Sequence, residues 1–272
     1  RVYVTWATPA QVTLLALDHA GKEAWRRDDI GPYKSQHGSG ASPIVWEDLV
    51  ILANDTEEQA GRESFILAVE ARTGKTAWKH VRKSVKSSYG TPCIFQPPSG
   101  TPQLVYAGKD HGFTGLDPRT GRLIWELDKA FPLRVVCSPV AAGGLVIASC
   151  GEGGRGHSVV AVRPGTREKP GDAAVAWTLT KSASYVPTPV AVKDLLFLWG
   201  DGGIVQCVRL ATGEVVWSER VGGEYFASPL CVDGRLYNVS KAGEVVVLAA
   251  AERYELLARN PLGEGSYATP AV

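Results

Sequence analysis

The sequence predicts an all-β chain: a β-propeller of four-stranded antiparallel blades, with about six blades represented in 272 residues. Three observations carry this. A tryptophan follows a glycine by four positions at Gly21/Trp25, Gly74/Trp78, Gly121/Trp125 and Gly213/Trp217. Ser-Pro or Thr-Pro recurs at Ser42, Thr91, Ser138, Thr188, Ser228 and Thr269, at successive separations of 49, 47, 50, 40 and 41 residues. Short apolar runs alternate with turn residues between these markers. A period of roughly 40–50 residues rich in short strands is what propeller blades produce, since one such unit cannot bury its apolar faces alone.

The elements follow in order through residues 42–80. Ile44-Val45-Trp46 is strand A, and Glu47-Asp48 turns into strand B at Leu49–Ala53. That run is apolar without alternation, as a strand buried on both faces requires. A polar stretch from Asn54 to Glu63 leads to strand C at Ser64–Val69. The Thr73-Gly74 turn then leads to strand D, which carries Trp78. The same order gives blades at about 91–127, 138–179, 188–219 and 228–258. The blade opening at Ser138 has an insertion, Arg163 to Ala174, before Trp177, and the blade opening at Ser228 has lost its tryptophan. Residues 1–27 read as strands B, C and D of a blade lacking A, and residues 269–272 as strand A of a further or closing blade. The ends either complete one blade or belong to different blades of a larger, truncated ring; the second is the expectation, with the chain a segment of a longer protein.

The repeated residues have distinct expected roles. The hairpin glycine supplies positive φ. The indoles of Trp25, Trp78, Trp125, Trp177 and Trp217 are expected to dock each blade against the next. Chain direction places the D–A and B–C loops on one face, around a central channel. The D–A loops there carry Lys34, His37, Tyr89, Arg134, Tyr185, Tyr225 and Tyr267. Tyrosine pairs an apolar face with a hydrogen-bonding tip, which suits recognition, so these residues are the candidate binding set at the channel mouth. The tyrosines would equally serve the repeat by packing on a neighbouring strand A. The run Lys79–Lys86 reads as a charged, solvated loop.

Lys and Arg total 29 against 28 Asp and Glu, which gives no global attraction to nucleic acid, and no apolar run is long enough to span a membrane. Five dispersed cysteines read as small buried residues without a disulfide framework. The five histidines occupy unrelated blade positions, away from any nucleophile motif. Asn54-Asp55-Thr56-Glu57-Glu58 offers oxygens but not a complete calcium loop. Gly151–Gly156 lacks the Lys-Ser/Thr ending of a phosphate cradle and reads as a flexible B–C loop. No catalytic or metal site is expected.

The hairpins Ala71-Arg72-Thr73-Gly74-Lys75-Thr76-Ala77-Trp78 and Asp117–Trp125, with the alternating Ser/Thr-Pro strands, resemble the PQQ-like β-propeller repeat proteins over nearly the whole chain. The resemblance implies one of two functions. BamB-like members are non-catalytic modules that bind protein partners, which here implies a protein, peptide or small ligand as partner, no cofactor, and a periplasmic or secreted location. Quinoprotein dehydrogenases, usually eight-bladed, instead hold pyrroloquinoline quinone (PQQ) and calcium. Their adjacent cysteine pair has no counterpart in this sequence, so the binding module is the expected function and the quinoprotein the alternative.

Overall fold

Each blade is a hairpin ladder in chain order, because every connection between successive strands is short enough to force antiparallel neighbours. The computed structural model describes residues 1–57, 63–84 and 86–271; Glu58 of the acidic turn, Val85 of the charged run and Val272 of the final strand A lie outside them. Contacts divide the chain into two units, one of residues 1–134 with 165–173, the other of residues 135–164 with 174–272.

The first unit holds three sheets. Strands β1 (Val2–Ala7), β2 (Val12–Leu17) and β3 (Glu23–Arg27) form a three-stranded sheet. The next sheet contains β4 (Ile44–Trp46), β5 (Leu49–Asn54), β6 (Ser64–Glu70) and β7 (Thr76–Arg82). The third contains β8 (Cys93–Phe95), β9 (Gln103–Gly108), β10 (Gly112–Leu116) and β11 (Leu123–Leu127). Strand β5 is buried along its full length, as its unbroken apolar run requires.

A two-residue strand, β12 (Arg134–Val135), pairs with β14 (Leu145–Glu152) where the sequence predicts only loop. In the second unit, β13 (Val140–Ala142), β14, β15 (Arg155–Arg163) and β16 (Ala174–Leu179) form one blade. Two more comprise β17 (Val190–Val192), β18 (Leu195–Trp199), β19 (Ile204–Arg209) and β20 (Val215–Arg220), then β21 (Leu230–Val232), β22 (Arg235–Val239), β23 (Glu244–Ala249) and β24 (Leu256–Pro261). The insertion before Trp177 contains a single 3₁₀ turn, Pro170–Asp172. Strand β14 is eight residues long and β13 covers only three of them, which leaves edge for β12 to pair with.

Two other expectations change. Lys79 to Arg82 belong to β7, with Trp78, His80 and Arg82 turned inward and Lys79 and Val81 outward. The first four residues of the run thus alternate as strand, with Arg82 the cation at an inward position, while Lys83 and Lys86 are exposed beyond it. Gly151–Gly156 is a tight hairpin in place of a flexible loop: β14 and β15 run to Glu152 and Arg155, and Gly153 and Gly154 both take positive φ between them, the conformation of a two-residue I′ turn. After the other Ser/Thr-Pro pairs strand A starts two residues on; after Thr269 that position is Ala271, which is not paired as a strand.

Every C–D pair shifts register one residue before its hairpin, at Ala16/Leu17, Ala68/Val69, Gly115/Leu116, Ala161/Val162, Cys207/Val208 and Val247/Leu248. The residue before the shift lies opposite the strand D tryptophan in five cases, and in all five it is small: Ala16, Ala68, Gly115, Ala161 or Cys207. A small partner leaves space across the sheet for the indole.

Candidate functional site

Four indoles reach the next hairpin in sequence. The Nε1–H of Trp25, Trp78, Trp177 and Trp217 donates to the carbonyls of Ala71, Pro118, Leu210 and Ala251 at 3.1, 3.0, 2.9 and 3.0 Å. Trp25, Trp78 and Trp177 lie directly on Gly74, Gly121 and Gly213, where a Cβ would come within 2.4–2.8 Å of the ring. The glycine thus meets two demands, positive φ and contact with the preceding blade's indole. Trp217 meets Tyr254 edge-on at 5.4 Å instead.

Trp125 departs from this pattern. It donates at 2.6 Å to Gln103 Oε1, whose amide nitrogen donates to the Gly165 carbonyl at 2.9 Å. It also lies on Gly115 of its own sheet, where a Cβ would be 2.2 Å from Nε1. Its link to the next hairpin is indirect, through Gln103 to Gly165 of the 163–174 insertion, which carries no Thr-Gly turn, while Gly115 offers no side chain to hold the indole off.

The Ser/Thr-Pro pairs also have a physical role. The backbone N–H groups of Ser42, Ser138, Thr188 and Ser228 donate to the hydroxyls of Thr91, Thr188, Ser228 and Thr269 at 2.9–3.1 Å. Each hydroxyl accepts from the equivalent residue one blade earlier.

On this frame the candidate binding residues divide. In the first unit, the Arg134 guanidinium lies 5.8 Å from the Tyr89 ring centre, donates to Gln36 Oε1 at 3.4 Å and is 3.9 Å from Glu57. The His37 ring is 6.2 Å from the same tyrosine. Lys34 is anchored by its backbone, exchanging hydrogen bonds with Thr56 Oγ1 at 2.9 and 3.0 Å, and its side chain is exposed. Beneath these loops Arg82 and Asp55 form an ion pair at 2.8 Å with both side chains fully buried. Arg82 also donates to Thr114 Oγ1 at 3.1 Å and stands over the Tyr106 ring at 4.8 Å. Burial pushes the Tyr106 phenol well above its ordinary range.

In the second unit two expectations are corrected. Tyr185 is 8% exposed and Tyr225 0%, so neither is presented to a partner. Tyr185 packs on Gly151, and Tyr225 meets Trp199 edge-on at 5.3 Å. Both backbones are held by Asp201: Tyr185 N–H and Val186 N–H donate to its carboxylate at 2.8 and 3.1 Å, and Tyr225 N–H donates to its carbonyl at 2.9 Å. Burial raises the Asp201 pKa against the opposing effect of those N–H donors. Tyr267, by contrast, is 62% exposed and lies 5.5 Å from Phe226, which sequence reasoning passed over. Lys241 stands over both rings at 5.0 and 5.7 Å and is ion-paired with Glu224 at 2.8 Å. The distinguishing signal is the offset from Ser/Thr-Pro. Tyr185 and Tyr225, three residues before it, point inward; Tyr89, Phe226 and Tyr267, two residues before it, reach the surface.

Nucleophile chemistry finds little support in these groups. Burial pushes the Cys93 and Cys207 thiols up to about 12 and about 11 and raises Cys137, which keeps them protonated at neutral pH. His111 Nδ1 is 2.9 Å from Glu126, but its Nε2 accepts the Lys83 N–H at 3.0 Å, leaving no nitrogen for a nucleophile. Asp55, the central oxygen donor of the acidic turn, is committed to Arg82. The described residues contain no group of three or more His, Cys, Asp or Glu placed to hold a metal ion.

Residues 1–219 and, overlapping them, 169–256 match the family described as outer membrane protein assembly factor BamB. The chain belongs to the BamB family. A Yersinia pestis outer membrane protein assembly factor BamB is 21% identical over 224 residues, 75% of this chain and 52% of that protein; this BamB-family chain therefore spans about half the length of that relative. The crystal structure of BamB from Moraxella catarrhalis superposes with a TM-score of 0.71 at 15% identity, covering 99% of this chain and 76% of that one. Saccharomyces cerevisiae Sqt1 gives 0.67 at 10%, covering 93% and 69%. The quinohemoprotein alcohol dehydrogenase ADHIIG from Pseudomonas putida HK5 gives 0.57 at 18%, covering 85% and 43%. These likenesses establish the β-propeller fold.

Proposed function

We propose that this BamB-family chain is a non-catalytic binding module that engages a protein partner through its D–A loop surfaces. The observation carrying this reading is the pair of surface aromatic–cation clusters: His37, Tyr89 and Arg134 in the first unit, and Phe226, Lys241 and Tyr267 in the second. Aromatic residues and arginine supply contact area and directional hydrogen bonds at low entropic cost, and they are enriched in binding hot spots. The loops of the first cluster rest on a buried ion pair, which limits the ordering cost of binding. Family membership supports a periplasmic location and a role alongside the assembly of outer membrane proteins, the role named for the Yersinia relative.

The test is partner capture from native envelopes by the intact protein after in-cell crosslinking. Phe226→Ser with Tyr267→Ser, and separately Arg134→Glu with Tyr89→Ser, should each reduce capture at least tenfold while circular dichroism stays unchanged. Undiminished capture by both double variants would sink the proposal.

A further inference from the structure

The second unit contains a pocket of about 340 Å³ whose lining includes Gly154, Arg155, Gly156, Asp201, Gly202 and Arg220. Its wall is built from two B–C hairpins and the D–A loop between them. Gly154 and Gly202 have nothing within 4 Å of where a Cβ would stand, so a ligand could approach main chain there. Gly156 is required for closure, since a Cβ would fall 1.8 Å from the Ala183 carbonyl.

The charges define the ligand. Arg155 and Arg220 form no ion pair with any described carboxylate. Arg220 is steadied by one hydrogen bond, Nη1 to the Gly202 carbonyl at 3.2 Å, which leaves the rest of its guanidinium fork for another acceptor. Asp201 has both carboxylate oxygens occupied by backbone N–H groups. Two guanidinium groups and one carboxylate leave a single positive charge, which a singly charged carboxylate balances and a phosphate dianion exceeds. Arginine also matches a carboxylate bidentately.

We propose that this pocket binds a carboxylate, supplied by a Glu or Asp side chain of a polypeptide partner. The proposal rests on the binding-module reading only for the source of the carboxylate; the pocket's preference for that group stands separately.

The experiment is a titration of the full 272-residue chain followed through the arginine Nε–H NMR signals. The probes are acetyl-Gly-Glu-Gly-amide, its Gln counterpart, succinate and inorganic phosphate. The Glu peptide should shift the Arg155 and Arg220 signals saturably and bind at least tenfold more tightly than the Gln peptide. Arg155→Gln and Arg220→Gln should each weaken it at least tenfold; both side chains are exposed, so the variants should melt like the parent. Tighter binding of the peptide than of succinate supports the polypeptide source, whereas succinate binding as well or better overturns that source. The pocket assignment is overturned by equal shifts with the Gln peptide, tighter phosphate binding, no saturable shift at millimolar probe, or unchanged affinity in both variants. Partner capture uses other side chains, so its failure would leave this titration unaffected.

Discussion

The hairpin glycines are alike in sequence and unlike in cost. Gly21 has φ +79° and nothing near its missing Cβ, while Gly121 has φ +68° with the Trp78 ring at 2.4 Å. Gly21→Ala should cost about 1–2 kcal/mol of left-handed strain, and Gly121→Ala at least about 1 kcal/mol more from steric overlap. Urea melts of the two variants compare them directly; equal losses would show that φ alone fixes the residue. Trp125 is 2% exposed, and Trp125→Ala should cost about 3–5 kcal/mol and lower Tm by on the order of 10 °C. A barely detectable shift would refute its place in the core. His80 titrates in the folded state below its ordinary value of 6.5, through burial first and the Arg82 charge second. The unfolded chain therefore takes up this proton first, so the stabilising effect of neutral His80 is full above pH 6.5 and is lost as pH falls toward the folded-state value. His80→Gln should flatten that part of the stability profile, as followed by urea melts from about pH 8 to about pH 5.

Strand β7 joins packing to surface. Its inward positions place Trp78 against the next hairpin and Arg82 against Asp55 beneath the loops that carry Tyr89. Removing Arg82 alone strands a buried carboxylate, so Arg82→Leu should cost about 3–5 kcal/mol, and adding Asp55→Leu should recover much of that loss. A double-mutant cycle measured by chemical denaturation tests this; additive losses would mean the two charges do not support each other. The alternation Trp78, His80, Arg82 was legible as a strand pattern, but a dense local charge made the segment resemble a loop. The small residue opposite each tryptophan was equally present in the sequence. It gained meaning only once register put Ala16, Ala68, Gly115, Ala161 and Cys207 across from the indoles.

At the scale of the molecule, repetition makes the fold legible and makes the site hard to read. Five four-stranded repeats and one three-stranded repeat of the same strand order determine the all-β class and nearly every strand, because period and turn chemistry are local and each copy reinforces the others. A binding surface has no such redundancy. Tyr185 and Tyr225 share the loop and residue type of Tyr89 and Tyr267, yet a one-residue difference in offset turns them from surface to core.

The sequence by itself determined the blade grammar, the hairpin positions and the family, since these depend on spacing along the chain. The tertiary structure decided which tyrosines are exposed, that Trp125 folds back onto Gly115 and Gln103, that Arg82 is buried with Asp55, and that Arg155 and Arg220 line one pocket. Those outcomes depend on which side chains from distant strands compete for the same space and the same hydrogen-bond partners, a competition that no local pattern records.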